Sequence, residues 1–406
     1  MIKQKHLLGL AAAAVVLLLL AVALSESRRP AQEAVIEGPL LAGLEQALNS
    51  VERVEVLAAD GEPITLLREG DRWQVREQHG YAANFGTLRE LLLNLAQARR
   101  IEPRTANPGS YALLGVQDID AEGATGVELR IQADSSDWRV ILGQNNPRGV
   151  GTFVRVPGEA QSWLADRNLA AERSLQGWLQ RELLDIAANR VASVVVQPAE
   201  GDEVRIEAAG GEGPGDFRLV NLPQGREAAS EFVADATAGF LSGLRIDDVA
   251  LAEGWSPAED APRTQARFEL REGLNVDVEV FGNANQAWGR FAVSLDEEVA
   301  TRRAEGEQAR EAMAHENAVR RAREAAGLDA DSGEPIEGAE SALAAELPAP
   351  PLAVTDPEAD RMARVIAARE EAERLQQAVD GWVFQLPAFK VGNLVRSMDA
   401  YLKPQG

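Results

Sequence analysis

Two short stretches bring together side chains that could hold a ligand. Asn145, Asn146 and Arg148 lie in Val140-Ile-Leu-Gly-Gln-Asn-Asn-Pro-Arg-Gly-Val-Gly-Thr-Phe153. Asn283, Asn285 and Gln286 lie in Val280-Phe-Gly-Asn-Ala-Asn-Gln-Ala-Trp-Gly-Arg-Phe291. Carboxamides and a guanidinium offer donors and acceptors that suit a sugar or a peptide. The competing reading is that Asn and Gly serve the turns themselves, because both tolerate positive φ. Acidic neighbours are the second candidate: Asp118 with Asp120, Asp247 with Asp248, and Glu259 with Asp260. Two carboxylates can hold a hard cation or run acid–base chemistry. In a chain of formal charge -23 such neighbours arise freely, and no calcium-loop pattern of oxygen ligands surrounds them. Gly210 to Gly215 is glycine-rich but has no Lys-Ser/Thr after it, so it reads as a flexible turn and not as a phosphate cradle. There is no cysteine, which excludes disulfides and thiolate catalysis. His6, His79 and His315 share no ligand spacing, which argues against a histidine metal site or a Ser-His-Asp triad. No catalytic residue, cofactor or metal is expected, and the negative charge argues against nucleic acid as a partner.

The elements that carry the two asparagine turns repeat. Val51, Val54 and Val56, a turn at Asp60-Gly61, Ile64 and Leu66, then Trp73 and Val75 alternate with period two, as in an antiparallel meander. A helix follows from Asn84 to Arg99, with Asn84 as N-cap and Leu88, Leu91, Leu92 and Leu95 on one face. A shorter helix is read over Leu40 to Leu48. Further strands centre on Leu129, Val140, Val154 and Trp163, and Ser174 is expected to cap a helix through Leu184. At Val191 the pattern restarts: Val194 answers Val54, Val196 answers Val56, Gly201 answers Gly61, and a helix spans Phe232 to Leu244. At an offset near 140 residues, Gly143 maps to Gly282, Gly151 to Gly289 and Phe153 to Phe291. The seven tryptophans are spread along these elements and read mostly as core.

Two further segments stand apart. Leu7 to Leu24 is apolar and follows Lys3, Lys5 and His6. About 18 residues make a helix of roughly 27 Å, enough to cross a bilayer. An uncleaved anchor fits that length better than a signal peptide, whose cleavage site would be Ala21-Val-Ala23. The long C-terminal part would then lie outside the cytoplasm. Between residues 296 and 380 the composition shifts to Ala, Glu and Arg, with 21 acidic and 10 basic residues. Glu298 to Ala326 and Pro357 to Val379 read as long polar helices around a Pro/Gly-rich stretch, Gly327 to Pro351. Trp382 to Pro387 and Asn393 to Leu402, read as a strand and a helix, would complete the second repeat.

The order of several weak motifs resembles the bacterial domain-of-unknown-function 4340 family. They are the meander ending in Trp73-Gln-Val, Tyr111-Ala-Leu-Leu-Gly-Val, the Leu142-Gly143 turn with Gly-Thr-Phe-Val-Arg155, and Trp178-Leu-Gln-Arg-Glu-Leu-Leu184. The resemblance covers residues 50 to 295, with 381 to 402 beyond the insertion. It implies a membrane-anchored envelope protein associated with gliding-motility-type ABC transporters, and no catalytic residues come with it. The acidic insertion departs from the compact family pattern.

The sequence thus predicts an α+β protein. It has a cytoplasmic head (1–6), a transmembrane anchor (7–24), a linker (25–50) and a first repeat of antiparallel strands packed by helices (51–190). The second repeat (191–295 and 381–406) carries the helical insertion (296–380). The expected role is non-enzymatic: an extracytoplasmic accessory or scaffold component of an ABC-transporter-type complex at the inner membrane, contacting permease or auxiliary subunits. The alternative is an envelope glycan- or peptide-binding module. In either role the six turn residues are the candidate ligand or partner contacts.

Overall fold

The computed structural model describes residues 38–134, 136–209, 217–229, 231–326, 328–334 and 347–404. The chain is α+β and divides into two compact units, Met1–Leu179 and Gln180–Gly406.

The first unit holds helix α1 (Leu44–Ala47), strands β1 (Val51–Ala58), β2 (Ile64–Glu69), β3 (Arg72–Val75) and β4 (Tyr81–Ala82), helix α2 (Phe85–Gln97), and strands β5 (Arg100–Pro103), β6 (Val127–Ala133), β7 (Ser136–Asn145), β8 (Thr152–Arg155) and β9 (Ser162–Ala165). The strands form one sheet in the order β4-β3-β2-β1-β6-β7-β8-β9-β5. Period-two alternation puts Val54, Val56, Leu129, Ile131, Val140, Leu142 and Val154 on one face, all buried. Leu88, Leu91, Leu92 and Leu95 of α2 are buried with them. Asn84 caps α2, its side chain accepting from the Thr87 N–H at 3.2 Å.

The second unit holds β10 (Glu182–Leu184), β11 (Val191–Gln197), β12 (Val204–Ala208), β13 (Phe217–Leu219), α3 (Glu231–Ala238), β14 (Leu244–Arg245), β15 (Asp248–Leu251), β16 (Arg263–Leu270), β17 (Leu274–Asn283) and β18 (Gln286–Leu295). There follow α4 (Glu297–Ala325), α5 (Leu352–Thr355), α6 (Pro357–Val379), β19 (Trp382–Leu386) and α7 (Ala388–Leu394). Its main sheet runs β13-β12-β11-β16-β17-β18-β19-β15, the order of the first sheet without the β4 edge. β10 and β14 form a separate pair.

Between β18 and β19 the chain makes its long excursion through α4, α5 and α6, and β18 explains where that excursion rests. β18 has ten residues, but β19 pairs only with Ala287 to Gly289. The rest of that strand edge would present unpaired backbone. The Gln376 side chain on α6 instead accepts from the Val293 N–H at 2.7 Å. Arg190 ties Glu371 of α6 in a two-pronged ion pair, both bonds 3.0 Å, and also binds Glu272. Arg364 of α6 clamps α4 through Glu307 and Glu311 and is itself held by the buried Asp360 one turn earlier. Gly273 lies at φ +92°, and a Cβ there would meet the Ala300 nitrogen at 2.7 Å, so only glycine fits beneath the start of α4.

Several expectations need correction. Ser174 does cap a turn, accepting from Gly177, but the helix ends at Trp178. Leu179 is extended because it bridges Ala83, and Glu182–Leu184 then pairs with β14 as a strand. Leu40 to Leu48 contains only a four-residue helix, α1. Asn393 to Leu402 is not one helix: α7 starts after Pro387, ends at Leu394, and a short 3-10 turn covers Met398–Tyr401. Of the seven tryptophans only Trp73 and Trp178 are buried; the other five are half-buried. The apolar stretch Leu7 to Leu24, the loop Gly210 to Gly215 and part of Gly327 to Pro351 lie outside the described residues. Among the described residues no helix is long and apolar enough to cross a membrane.

Candidate functional site

The two asparagine turns belong to different units. In the first, the Asn145 carboxamide oxygen accepts from the Thr152 hydroxyl at 2.7 Å, and that hydroxyl accepts from the Leu169 N–H at 2.7 Å. The Asn146 side chain accepts from the Arg148 N–H at 3.1 Å, and the Asn146 N–H donates to the Gly151 carbonyl at 2.7 Å. The Arg148 side chain is exposed. In the second turn, the Asn283 side chain accepts from the N–H groups of Asn285 and Gln286, at 2.9 and 3.3 Å. Both turns therefore use asparagine oxygens to close their own backbone. The acidic neighbours diverge: Asp118 pairs with Arg155, and Asp247 with Arg181. Among the described residues no three His, Asp or Glu side chains gather as metal ligands.

The ladders bring a different pair together. Val54 and Val194 hold the same position in β1 and β11, opposite Ile131 and Phe268. Counting across, Leu129 matches Ala266, Leu142 matches Val280, and the partners of those residues are Val154 and Gly289. Arg155, opposite Ile141, thus matches Arg290, opposite Glu279. The sequence register of 138 that joined Phe153 to Phe291 is three residues off here. The longer turn before β8 shortens the offset to 135, and Phe153 corresponds to Trp288.

Arg155 and Arg290 point away from the helix-covered core, onto the outer face of their own sheets. Arg155 is only 3% exposed. Its Nε donates to the Val116 carbonyl at 2.8 Å, Nη1 to the Glu159 carbonyl at 3.3 Å and Nη2 to the Asp118 carboxylate at 2.5 Å. The guanidinium lies 4.6 Å from the Tyr111 ring centre. These groups come mostly from the 104–126 connection, which folds over the outer face and builds a second small core of Tyr111, Val116, Ile141, Phe153 and Leu164. Two glycines let it approach. A Cβ at Gly126 or Gly143 would sit inside the shells of the Gly115 and Leu114 carbonyl oxygens.

In the second sheet the positions of Gly126 and Gly143 carry Arg263 and Phe281, which are paired across β16 and β17. The matching connection, 252–262, is shorter and leaves this face open. Arg290 lies 5.1 Å from the Trp255 ring centre and 5.6 Å from that of Phe281, and Nη2 donates to the Trp255 carbonyl at 3.3 Å. Its Nε is buried and has no partner among the described residues. Trp255 packs on Phe281 and Trp288 at 5.5 and 6.0 Å between ring centres. Beside them a groove of about 620 Å³ crosses β11, β16, β17 and β18, with Gln197, Gln265, Arg267, Asp277, Glu279 and Arg290 among its walls. Arg267 and Asp277 form a two-pronged pair at 2.7 and 3.0 Å, and that hydrogen bonding holds the guanidinium pKa above its usual value. Arg263 pairs with Glu279. An arginine held against aromatic rings at the edge of a groove is equipped to bind an anionic group by charge and directed N–H donors. The arginines were missed in the sequence because the Gly-x-Phe match imposed a false register. Counting turn lengths would have aligned them.

Residues 73–268 match the family model described as Domain of unknown function (DUF4340), within the stretch where the sequence resemblance lay. No curated protein and no solved structure matches the chain.

Proposed function

We propose that this DUF4340 chain is a non-enzymatic, membrane-anchored extracytoplasmic accessory or scaffold component of an ABC-transporter-type envelope complex, acting through protein–protein contact. The observation that carries the reading is how the two sheets use their outer faces. Their charged side chains engage one another in ion pairs, as in Glu128 with Arg130 on its own strand and Arg139 on the next, or Arg267 with Asp277 across the ladder. In each case an arginine already holds the carboxylate, which suits a surface built for contact. The apolar stretch Leu7 to Leu24 supports the anchor, and the helices α4 and α6 supply a large acidic arm for contact. A second reading, an envelope peptide- or glycan-binding module, is favoured by the groove beside Trp255, Phe281 and Trp288.

The test is cross-linking of the tagged full-length chain in its native membrane, followed by mild detergent extraction and mass spectrometry. Recovery of a permease or ATPase, lost when 312–350 is replaced by a short linker that spares the anchoring residues Glu307, Glu311, Arg364, Glu371 and Gln376, would support the accessory role and put the contact on the arm. Recovery of the chain alone would refute a stable complex and leave the binding module.

A further inference from the structure

Arg155 and Arg290 occupy one position in two sheets of the same order, so the first unit displays what such an arginine receives. There the chain supplies its own plug: the segment around Val116 to Asp118 lays a carbonyl and a carboxylate on the guanidinium. In the second unit the shorter connection brings only the Trp255 ring and carbonyl. Arg263 and Arg267 on the same face have carboxylate partners, Glu279 and Asp277. Among the described residues Arg290 has none, and its buried Nε is unbonded. Arg290 is thus the arginine of this face that forms no ion pair among the described residues, although Glu279 stands opposite it in the ladder, and two rings orient it at the edge of the groove.

We propose that this groove is a docking site for an extended acidic peptide segment of a partner protein, with Arg290 taking its carboxylate as Arg155 takes that of Asp118. The proposal deepens the contact reading above and rests on it. The first unit's own contact selects the acid, because the matching arginine, Arg155, there holds the Asp118 carboxylate. The groove spans four strands, about 14 Å between the outer two, which matches four or five extended residues. Trp255 and Trp288 would flank an apolar side chain next to the acid, as Tyr111 and Phe153 flank Val116 in the first unit.

The probe is a labelled peptide with the sequence of residues 110–120, the first unit's own plug, titrated by fluorescence anisotropy into the full-length chain in detergent. Saturable binding is expected. Replacing the acid that corresponds to Asp118 by Asn in the peptide should weaken it about tenfold, the loss of one charge-assisted bond. Arg290→Gln in the protein should weaken it by a similar factor, and the two changes together should cost no more than either alone. The peptide change leaves the protein untouched, so it separates arginine chemistry from misfolding. Absence of saturable binding, equal binding of a shuffled peptide, or an indifferent Arg290→Gln variant would overturn the proposal. If the peptide fails while the cross-linked membrane partner is still recovered, this proposal falls and the accessory role stands.

Discussion

The outer faces of the two sheets begin from the same strand order and end differently. On the first, Gly126 and Gly143 have no side chains, and the 104–126 connection settles onto the bare backbone. It buries Tyr111, Val116, Ile141, Phe153 and Leu164 and encloses Arg155. On the second, Arg263 and Phe281 fill those positions, the connection is shorter, and Glu279 stands where Ile141 stood. The same arginine position becomes a structural rivet in one sheet and an open anion-binding group in the other. Coverage of a sheet face is thus set by two residues beneath the loop as much as by the loop.

The largest effect is expected at the rivet. Arg155→Ala removes three hydrogen bonds from an enclosed site and should cost about 3 kcal/mol in chemical denaturation. Arg290→Ala should cost about 1 kcal/mol, since the side chain is half-exposed and loses one weak bond and its contacts with two rings. Equal losses would contradict the assignment of roles. Next, Gly143→Ala forces a Cβ into the Leu114 carbonyl and should destabilise the first unit by about 2 kcal/mol. It should also raise hydrogen exchange in 110–118, with exchange in the second unit unchanged. Arg190→Ala should cost about 1 kcal/mol and speed exchange in α6, because Glu371 and Glu272 lose their shared partner.

The smallest effect is in pH. The Ser174 N–H bonded to Glu172, helped by the Ser174 hydroxyl and the Arg173 N–H, holds the Glu172 carboxyl below its ordinary value of 4.5. A lowered folded pKa means the contribution is complete above pH 4.5 and is lost as pH falls through the lowered value. The melting temperature of Glu172→Gln should lie below that of the parent at pH 6, and the gap should close toward pH 3. A gap that is independent of pH would show that the charge of Glu172 is not what matters.

Much of this architecture was legible because its signals are local. Period-two valines marked β1 and β11, Asn84 marked the start of α2, and the shared offset of 140 marked the restart at Val191. The edge strands β5 and β15 were not legible, since four residues with irregular burial carry no alternation. The stretch after Ser174 was misread because a tertiary bridge, Leu179 to Ala83, ends the helix where apolar spacing would continue it. The asparagine turns were visible, but their hydrogen bonds to their own backbone were not. The Arg155 and Arg290 pair needs ladder partners to be seen, because a change in turn length shifts the register between β7 and β8.

One face is closed by its own chain and the other is open to a partner. Hydroxyl-radical footprinting of the full-length chain, purified and in native membranes, tests it directly. Tyr111 and Phe153 should stay protected in both samples. Trp255 and Trp288 should be modified in the purified protein and protected in the membrane. Equal reactivity of Tyr111 and Trp255, or no membrane protection of Trp255 and Trp288, would contradict it.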